Sequence, residues 1–311
     1  MYEMIIIGGG PAGLTAGIYG KRGNLKVLLL EKMAVGGQLL LTDAVENYPG
    51  FVEIISGFEL VEKLRKQAEK FGVEIVTDEV KNISREEESQ LWQVRTEKDL
   101  YETFTVVIAT GAKQRKLEAP GEDRLVGKGV SYCAMCDGPF FKGKKIIVVG
   151  GSNTAVKEAL FLTNFAKEVV LIHRRGRLRA EQILQERLFS NERIEVIWKS
   201  MITGVLGENK VEAVTVENVN THQKRQISCD GVFIFIGLDP NTEFLKGLVE
   251  VDTNGYIITD DDMNTSQEGI FACGDCRKKL LRQVVTACSD GAVASAAAFR
   301  YIEKVKGIKY E

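Results

Sequence analysis

The sequence predicts an α/β protein of two Rossmann-like, dinucleotide-binding (FAD/NAD(P)-binding) domains, the second inserted into the first. Three observations predict it. A strand, glycine turn and helix start occur as Met4-Ile5-Ile6-Ile7-Gly8-Gly9-Gly10-Pro11-Ala12-Gly13-Leu14 and again as Lys145-Ile146-Ile147-Val148-Val149-Gly150-Gly151-Ser152-Asn153-Thr154-Ala155. Each copy runs through a helical stretch into a second apolar strand, Lys26-Val27-Leu28-Leu29-Leu30 or Val169-Val170-Leu171-Ile172, the order of a right-handed parallel unit. Each unit then closes alike, with Thr105-Val106-Val107-Ile108-Ala109-Thr110-Gly111 and Gly231-Val232-Phe233-Ile234-Phe235-Ile236-Gly237.

The chain continues beyond Asp239-Pro240-Asn241 to residue 311, so the simplest topology returns the tail to the N-terminal domain. Residues 1–115 and 246–311 are expected to form the first domain and 116–245 the second, with crossovers near 114–119 and 239–244. A chain of 311 residues, 44% hydrophobic and 27% charged, is long enough to bury two cores. Lys and Arg total 41 against 43 Asp and Glu, so no strong net field selects nucleic acid or an anionic membrane. The N-terminal apolar run meets glycines too soon for a signal peptide. No apolar run approaches the ~18 residues of a membrane helix. A cytoplasmic protein without nucleic-acid or membrane partners is expected.

In the first glycine turn, Gly8, Gly10 and Gly13 complete the dinucleotide fingerprint: one turns the chain, one admits the pyrophosphate and one lets helix pack on strand. Phosphates then sit on the helix N-terminus. Glu31 ends the next strand, where an acid accepts hydrogen bonds from a ribose diol and repels a 2′-phosphate. That suits FAD or NAD rather than NADP. The second copy ends its corresponding strand in His173-Arg174-Arg175, with Arg179 one helical turn on. Guanidinium groups there can bind a 2′-phosphate through paired, charge-assisted hydrogen bonds. The contrast predicts FAD in one domain and NADPH in the other. Ser152 stands where a glycine would approach the pyrophosphate, and its hydroxymethyl either crowds the phosphates or donates to them.

Cys133-Ala134-Met135-Cys136-Asp137 lies just before the second glycine-turn strand. Two thiols at this spacing can cycle between dithiol and disulfide or hold half a zinc site. Asp137 is then the candidate to hold or deliver the proton of thiol exchange. A second C-x-x-C, Cys273-Gly274-Asp275-Cys276, would complete four zinc ligands. However, Gly269-Ile270-Phe271-Ala272-Cys273-Gly274-Asp275 reads as a strand ending in an acid suited to a flavin's ribityl chain, so no metal is expected. Cys229 and Cys288 read as buried small hydrophobes.

From residue 5 to residue 302 the chain resembles the low-molecular-weight, bacterial-type thioredoxin reductases. The matching motifs are Gly8-Gly9-Gly10-Pro11-Ala12-Gly13, Gly36-Gly37-Gln38-Leu39, Glu46-Asn47-Tyr48-Pro49-Gly50-Phe51, Ala109-Thr110-Gly111-Ala112, the 133–137 segment, His173-Arg174-Arg175 with Arg179, and Gly274-Asp275 with Arg282-Gln283. The resemblance implies FAD on Gly8, Gly10, Pro11, Ala12, Gly13, Glu31, Gly37, Gln38, Leu39, Asn47, Thr110, Gly111, Gly274, Asp275, Arg282 and Gln283. It implies NADPH on Gly150, Gly151, Ser152, Asn153, Thr154, His173, Arg174, Arg175 and Arg179. Cys136 would face the flavin, Cys133 would attack the substrate disulfide, and Asp137 would serve as acid–base partner. Thioredoxin as substrate, with Lys128 as a basic contact, and a homodimer are implied with them, as is rotation of one domain about the two crossovers. Met135 and Ser152 depart from the family's usual threonine and glycine. The alternatives are a related dithiol flavoprotein using another donor (NADH, ferredoxin or a deazaflavin) or another disulfide partner, and, in a different class, a non-catalytic redox sensor.

Overall fold

Every residue of Met4-Ile5-Ile6-Ile7 is apolar because both faces of its strand are covered. Met4 and Ile6 enter one core with Leu14, Leu29 and Val107, whereas Ile5 and Ile7 enter another with Leu28, Leu30 and Ile108. Such unbroken apolar runs mark parallel strands buried on both sides. The computed structural model describes residues 1–42, 45–85, 91–245 and 247–308, without the side chains of Leu41 and Cys136.

The chain divides into two compact units, Met1–Lys113 with Asp239–Glu311, and Gln114–Leu238. The second is thus an insertion whose ends fall at 113/114 and 238/239, two residues before the expected 115/116 and seven before the expected 245/246. Beside these crossings the outgoing and returning chains are hydrogen-bonded. Asn241 N donates to Gly111 O at 3.0 Å within the first unit, and Arg115 N donates to Gly237 O at 3.0 Å within the second.

In the first unit the parallel strands Glu74–Thr77, Val27–Glu31, Tyr2–Ile7 and Leu100–Ile108 lie side by side, followed by the antiparallel Trp92–Thr96 and Val80–Arg85. The long strand Leu100–Ile108 serves two neighbours on one edge. Its start pairs with Trp92–Thr96 and its end with Ile270–Ala272 in parallel, Val106 opposite Ile270. This second pairing brings the returning tail, and Asp275 with it, beside the first glycine turn. Helices Pro11–Arg22, Gly57–Lys70 and Val284–Val305 supply residues to the core on one face. Helix Gly57–Lys70 starts in a capping box, with Ser56 Oγ accepting from Glu59 N and Glu59 accepting from Ser56 N, which satisfies two otherwise unpaired donors.

The second unit repeats the plan. Five parallel strands lie in the order Ile194–Trp198, Glu168–His173, Lys145–Gly150, Gly231–Phe235, Val130–Ser131. A three-stranded antiparallel sheet, Ser200–Leu206, Ala213–Asn218 and Lys224–Ser228, adds Ile202, Val214 and Val216 to its second core. Among the described residues no helix is long and apolar enough to cross a membrane.

Burial has a measurable consequence. Burial pushes the Cys229 thiol up to about 12 and the Cys276 thiol up to about 11. Both thiols stay neutral in the folded chain after the unfolded chain has begun to ionise them at its ordinary value near 9. Their contribution to stability is therefore complete below about pH 9 and is lost as pH rises toward their folded values, at about 1.4 kcal/mol per pH unit per thiol. Urea midpoints measured across this range are expected to fall more steeply for the wild type than for Cys229→Ala or Cys276→Ser. Equal slopes would show that the thiols carry no linkage.

Candidate functional site: two glycine turns and a disulfide

The first turn is built around absent side chains. A Cβ on Gly13 would lie 1.9 Å from Gly8 O, so the helix packs directly on the strand end. Gly8 itself has φ +108, and a Cβ there would meet Ala109 O at 2.4 Å. At Gly10 a Cβ would meet nothing within 4 Å. That open space lies over the N-terminus of Pro11–Arg22, whose N-cap Gly10 makes no side-chain capping bond, a ready anion seat. Ala12 and Gly13 are buried, while Pro11 occupies the first helical position, where its missing N–H costs nothing. Glu31 reaches the turn: its Oε2 accepts from Gly9 N at 2.7 Å and its Oε1 from Met33 N at 3.1 Å. The acid thus pins the turn whose ligand it is expected to read.

Other expected FAD residues of the same unit surround this turn. Gly36 N donates to Gly9 O at 2.9 Å, and Gly37, Gln38 and Leu39 follow in a 3₁₀ turn with Leu39 buried. A Cβ on Gly37 would lie 3.7 Å from Gly10 Cα. Asn47 Nδ2 donates to Gln283 Oε1 at 3.1 Å, joining two motifs far apart in sequence. Thr110 Oγ1 donates to Asn241 O at 2.8 Å, and Asn241 Nδ2 returns a bond to Thr110 O at 2.9 Å. Gly111 has φ +64. A Cβ on Gly274 would come within 2.9 Å of the Ala12 Cβ, so the tail's own turn packs on the glycine-turn helix.

Asp275 carries the decisive observation for a cofactor. Its Oδ1 is buried without a hydrogen-bond partner among the described residues, and burial raises its carboxyl above the usual range, opposed by Lys279 and Arg282. A buried acceptor left unpaired is costly; hydroxyl donors of a ribityl chain would satisfy it. Arg282 Nε is likewise buried and unpaired among the described residues, its guanidinium lying 4.0 Å from the centre of the Tyr256 ring. The residues present therefore fit FAD: an open cradle over a helix N-terminus, an orphaned acceptor and an orphaned donor.

Sequence reasoning missed what fixes Asp275. Asp290 Oδ2 accepts from Gly274 N at 3.1 Å and from Lys279 Nζ at 2.7 Å, with Arg277 Nε at 3.6 Å. No spacing rule connects these residues. Cys288, half-buried on the same helix, accepts a weak hydrogen bond from Tyr48 OH at 3.8 Å.

The second turn differs in its reasons. A Cβ on Gly150 would lie 2.3 Å from Phe235 O, repeating the logic of Gly8. Gly151, however, is glycine because a Cβ would lie 2.4 Å from the His173 ring. His173 is 6% exposed, and its Nε2 lies 3.1 Å from Arg177 O. Burial first, and the charges of Arg179, Arg175 and Arg174 in addition, lower its pKa. It is a neutral spacer beneath the turn. Arg174, Arg175 and Arg179 are exposed, and Arg179 N donates to Gly151 O at 2.7 Å. Ser152 is the N-cap of helix Asn153–Leu162 and makes no side-chain capping bond. Asn153 exchanges two hydrogen bonds with Glu181, at 2.7 and 2.8 Å, a partner the sequence did not announce. Thr154 is exposed on the first helical turn.

In the same unit Cys133 is disulfide-bonded and precedes the short helix Ala134–Asp137. The Cys136 side chain lies outside the described residues. Asp137 N donates to Cys133 O at 3.2 Å, and the Asp137 side chain is half-exposed. Cys273 and Cys276 are free thiols and fully buried; Cys276 Sγ donates to Cys273 O at 3.3 Å. Among the described residues no group of three His, Cys, Asp or Glu is arranged to hold a metal.

Comparison with known proteins agrees with this architecture. A family model described as pyridine nucleotide-disulphide oxidoreductase matches residues 2–291. The thioredoxin reductase of Treponema pallidum (strain Nichols) is 47% identical over 305 residues, 98% of each chain. That of Bacillus subtilis (strain 168) is 45% identical over 307 residues, covering 98% of this chain and 96% of its own. The crystal structure of the Lactococcus lactis thioredoxin reductase superposes with a TM-score of 0.95 at 44% identity, covering 98% of this chain and 100% of that one. On this near-complete agreement of sequence and fold, the chain belongs to the pyridine nucleotide-disulphide oxidoreductase family, in the group of low-molecular-weight, bacterial-type thioredoxin reductases.

Proposed function

We propose that the protein is a flavoprotein thioredoxin reductase that takes electrons from NADPH and delivers them through Cys133 and Cys136 to a thioredoxin disulfide. The observation that carries the reading is the disulfide at Cys133, in the same unit as a glycine turn flanked by exposed arginines. The other unit offers the open glycine cradle with the unpaired Asp275 acceptor. We accordingly assign FAD to the unit Met1–Lys113 with Asp239–Glu311, and NADPH to the unit Gln114–Leu238. FAD, when bound, would supply a two-electron carrier between a pyridine nucleotide and the dithiol.

The chain's own residues perform the exchange. In the dithiol form the Cys133 thiolate attacks one sulfur of the thioredoxin disulfide; that S–S bond breaks and a mixed disulfide forms. The Cys136 thiolate then attacks Cys133 Sγ, which remakes the Cys133–Cys136 disulfide and releases thioredoxin as a dithiol. Two electrons and two protons pass to the substrate, and Asp137 is the group beside Cys136 that holds or gives a proton. Glu31 and Asp275 would hold FAD through its hydroxyls, with Asn47, Arg282 and Gln283 beside them. Arg174, Arg175 and Arg179 would hold the 2′-phosphate of NADPH, with Ser152 over its pyrophosphate. A cytoplasmic homodimer completes the reading and rests on family membership. The test is anaerobic titration of the FAD-loaded protein with NADPH and, separately, NADH, followed by oxidised thioredoxin. Flavin bleaching by NADPH at lower concentration than NADH, reversed by thioredoxin, is expected. Bleaching by neither nucleotide would sink the donor assignment, and bleaching without reoxidation would sink the substrate.

A further inference from the structure

We propose that Ser131, together with the Glu122–Tyr132 pair, positions Cys133, holding its backbone fixed while its sulfur changes partners. The inference rests on the thiol-exchange reading above and deepens it. Cys133 sits at a joint between the strand Val130–Ser131 and the four-residue helix Ala134–Asp137. At such a joint the strand ladder has ended and the short helix supplies a single partner, Asp137 N donating to Cys133 O at 3.2 Å. The Ser131 hydroxyl serves both backbone groups of Cys133: it accepts from Cys133 N at 3.0 Å and donates a further bond to Cys133 O at 3.1 Å. Ser131 is itself anchored. It is 4% exposed, and its strand is registered on the parallel sheet with Val130 opposite Val232 and Ser131 opposite Phe233.

The intervening residue is tied elsewhere in the same unit. Tyr132 OH donates to Glu122 Oε1 at 2.5 Å. Glu122 is 2% exposed, and its carboxylate also accepts from Leu117 N at 2.9 Å and Ala119 N at 3.3 Å. That loop is locked to the three-stranded sheet. Val205 N donates to Pro120 O at 2.9 Å. Gly121, at φ +91, passes so close that a Cβ would lie 2.0 Å from Val205 O. The two residues before Cys133 are thus fixed to two different sheets of one unit. A carboxylate bound by a phenol and two backbone donors is a strong, charge-assisted anchor, and neither Ser131 nor Tyr132 carries chemistry of its own here.

The physical need is geometric. Thiol–disulfide exchange demands a defined approach of the attacking sulfur, and an error of about 1 Å at a reacting atom can cost about 10²-fold in rate. A fixed Cys133 also raises the effective concentration of the two thiols toward each other. Loosening it should weaken the enzyme's own disulfide.

The test equilibrates the full-length, FAD-loaded protein in glutathione redox buffers and reads the Cys133 disulfide-to-dithiol ratio by thiol trapping. Ser131→Ala is expected to shift that equilibrium toward the dithiol by about fivefold, the scale of one net hydrogen bond, and to lower the rate of thiol exchange without loss of FAD. Ser131→Thr, which keeps the hydroxyl, is expected to restore both. A wild-type equilibrium in Ser131→Ala, or equal impairment of the alanine and threonine variants, would overturn the proposal. If Ser131→Ala does not fold, Tyr132→Phe removes a single oxygen and must shift the same equilibrium in the same direction; an unchanged ratio overturns the proposal equally. This equilibrium involves neither NADPH nor thioredoxin. Failure of the donor or substrate assignment therefore shows in the flavin titration and leaves this measurement to stand on its own.

Discussion

Cys133→Ser is expected to lower thioredoxin reduction by at least about 10⁴-fold, the scale on which loss of a covalent nucleophile acts. Serine is nearly isosteric with cysteine, and Cys133 N and O already have the Ser131 hydroxyl as partner. The fold and the FAD content should therefore survive. What is lost is a thiolate: a serine hydroxyl is essentially never ionised near neutral pH and cannot form a mixed disulfide. The measurement is NADPH-dependent reduction of thioredoxin beside NADPH-dependent bleaching of the flavin in the same preparation. Loss of the first with retention of the second assigns Cys133 to the exchange step. Normal turnover would remove it from the reaction, and loss of both would point to a folding defect instead.

The parts of this site that the sequence made legible are those fixed by local geometry. A strand that turns into a helix within three residues forces contacts such as Gly13 against Gly8 O, a consequence of chain path that any sequence adopting it must respect. Glu31 was legible for the same reason, since one strand–helix–strand unit sets its distance from the turn. Partners supplied by remote chain segments were not legible. Nothing near Asp275 announces that Asp290 and Lys279 hold its turn, because the link runs from the tail's turn to the middle of the last helix. Gly151 illustrates a subtler limit. The resemblance placed it among the NADPH residues, and the structure adds a packing reason for the glycine: the space it leaves is filled by the His173 ring, which lies on the neighbouring strand. The same packing withdraws His173 from the basic cluster to which its sequence neighbours belong. Nothing in the sequence singles out Ser131, and only the break between strand and helix at Cys133 gives its hydroxyl a task.

Arg174→Ala combined with Arg175→Ala is expected to raise the KM for NADPH by about 10²-fold, leave kcat with saturating NADPH within a few fold, and leave NADH kinetics nearly unchanged. Each charge-assisted hydrogen bond to a phosphate contributes about 1.5–3 kcal/mol, and only NADPH has the 2′-phosphate that would receive it. His173 cannot substitute, being buried and held neutral, and Arg179 alone retains one cation of the three. Ser152 should behave differently. It is the N-cap of Asn153–Leu162 with no capping bond of its own, at the helix end where the pyrophosphate would sit. Both coenzymes share that group. Ser152→Gly should therefore change the KM values for NADPH and NADH by the same factor, whether serine crowds the phosphates or donates to them. Steady-state kinetics with both coenzymes on the double arginine variant and on Ser152→Gly separate the two effects. If the arginine variant moves both coenzymes together, the arginines are a solvated surface and the 2′-phosphate is read elsewhere. If Ser152→Gly alone changes the ratio, discrimination resides in the turn rather than at the strand end, and the contrast between Glu31 and the arginines loses its meaning as a specificity device.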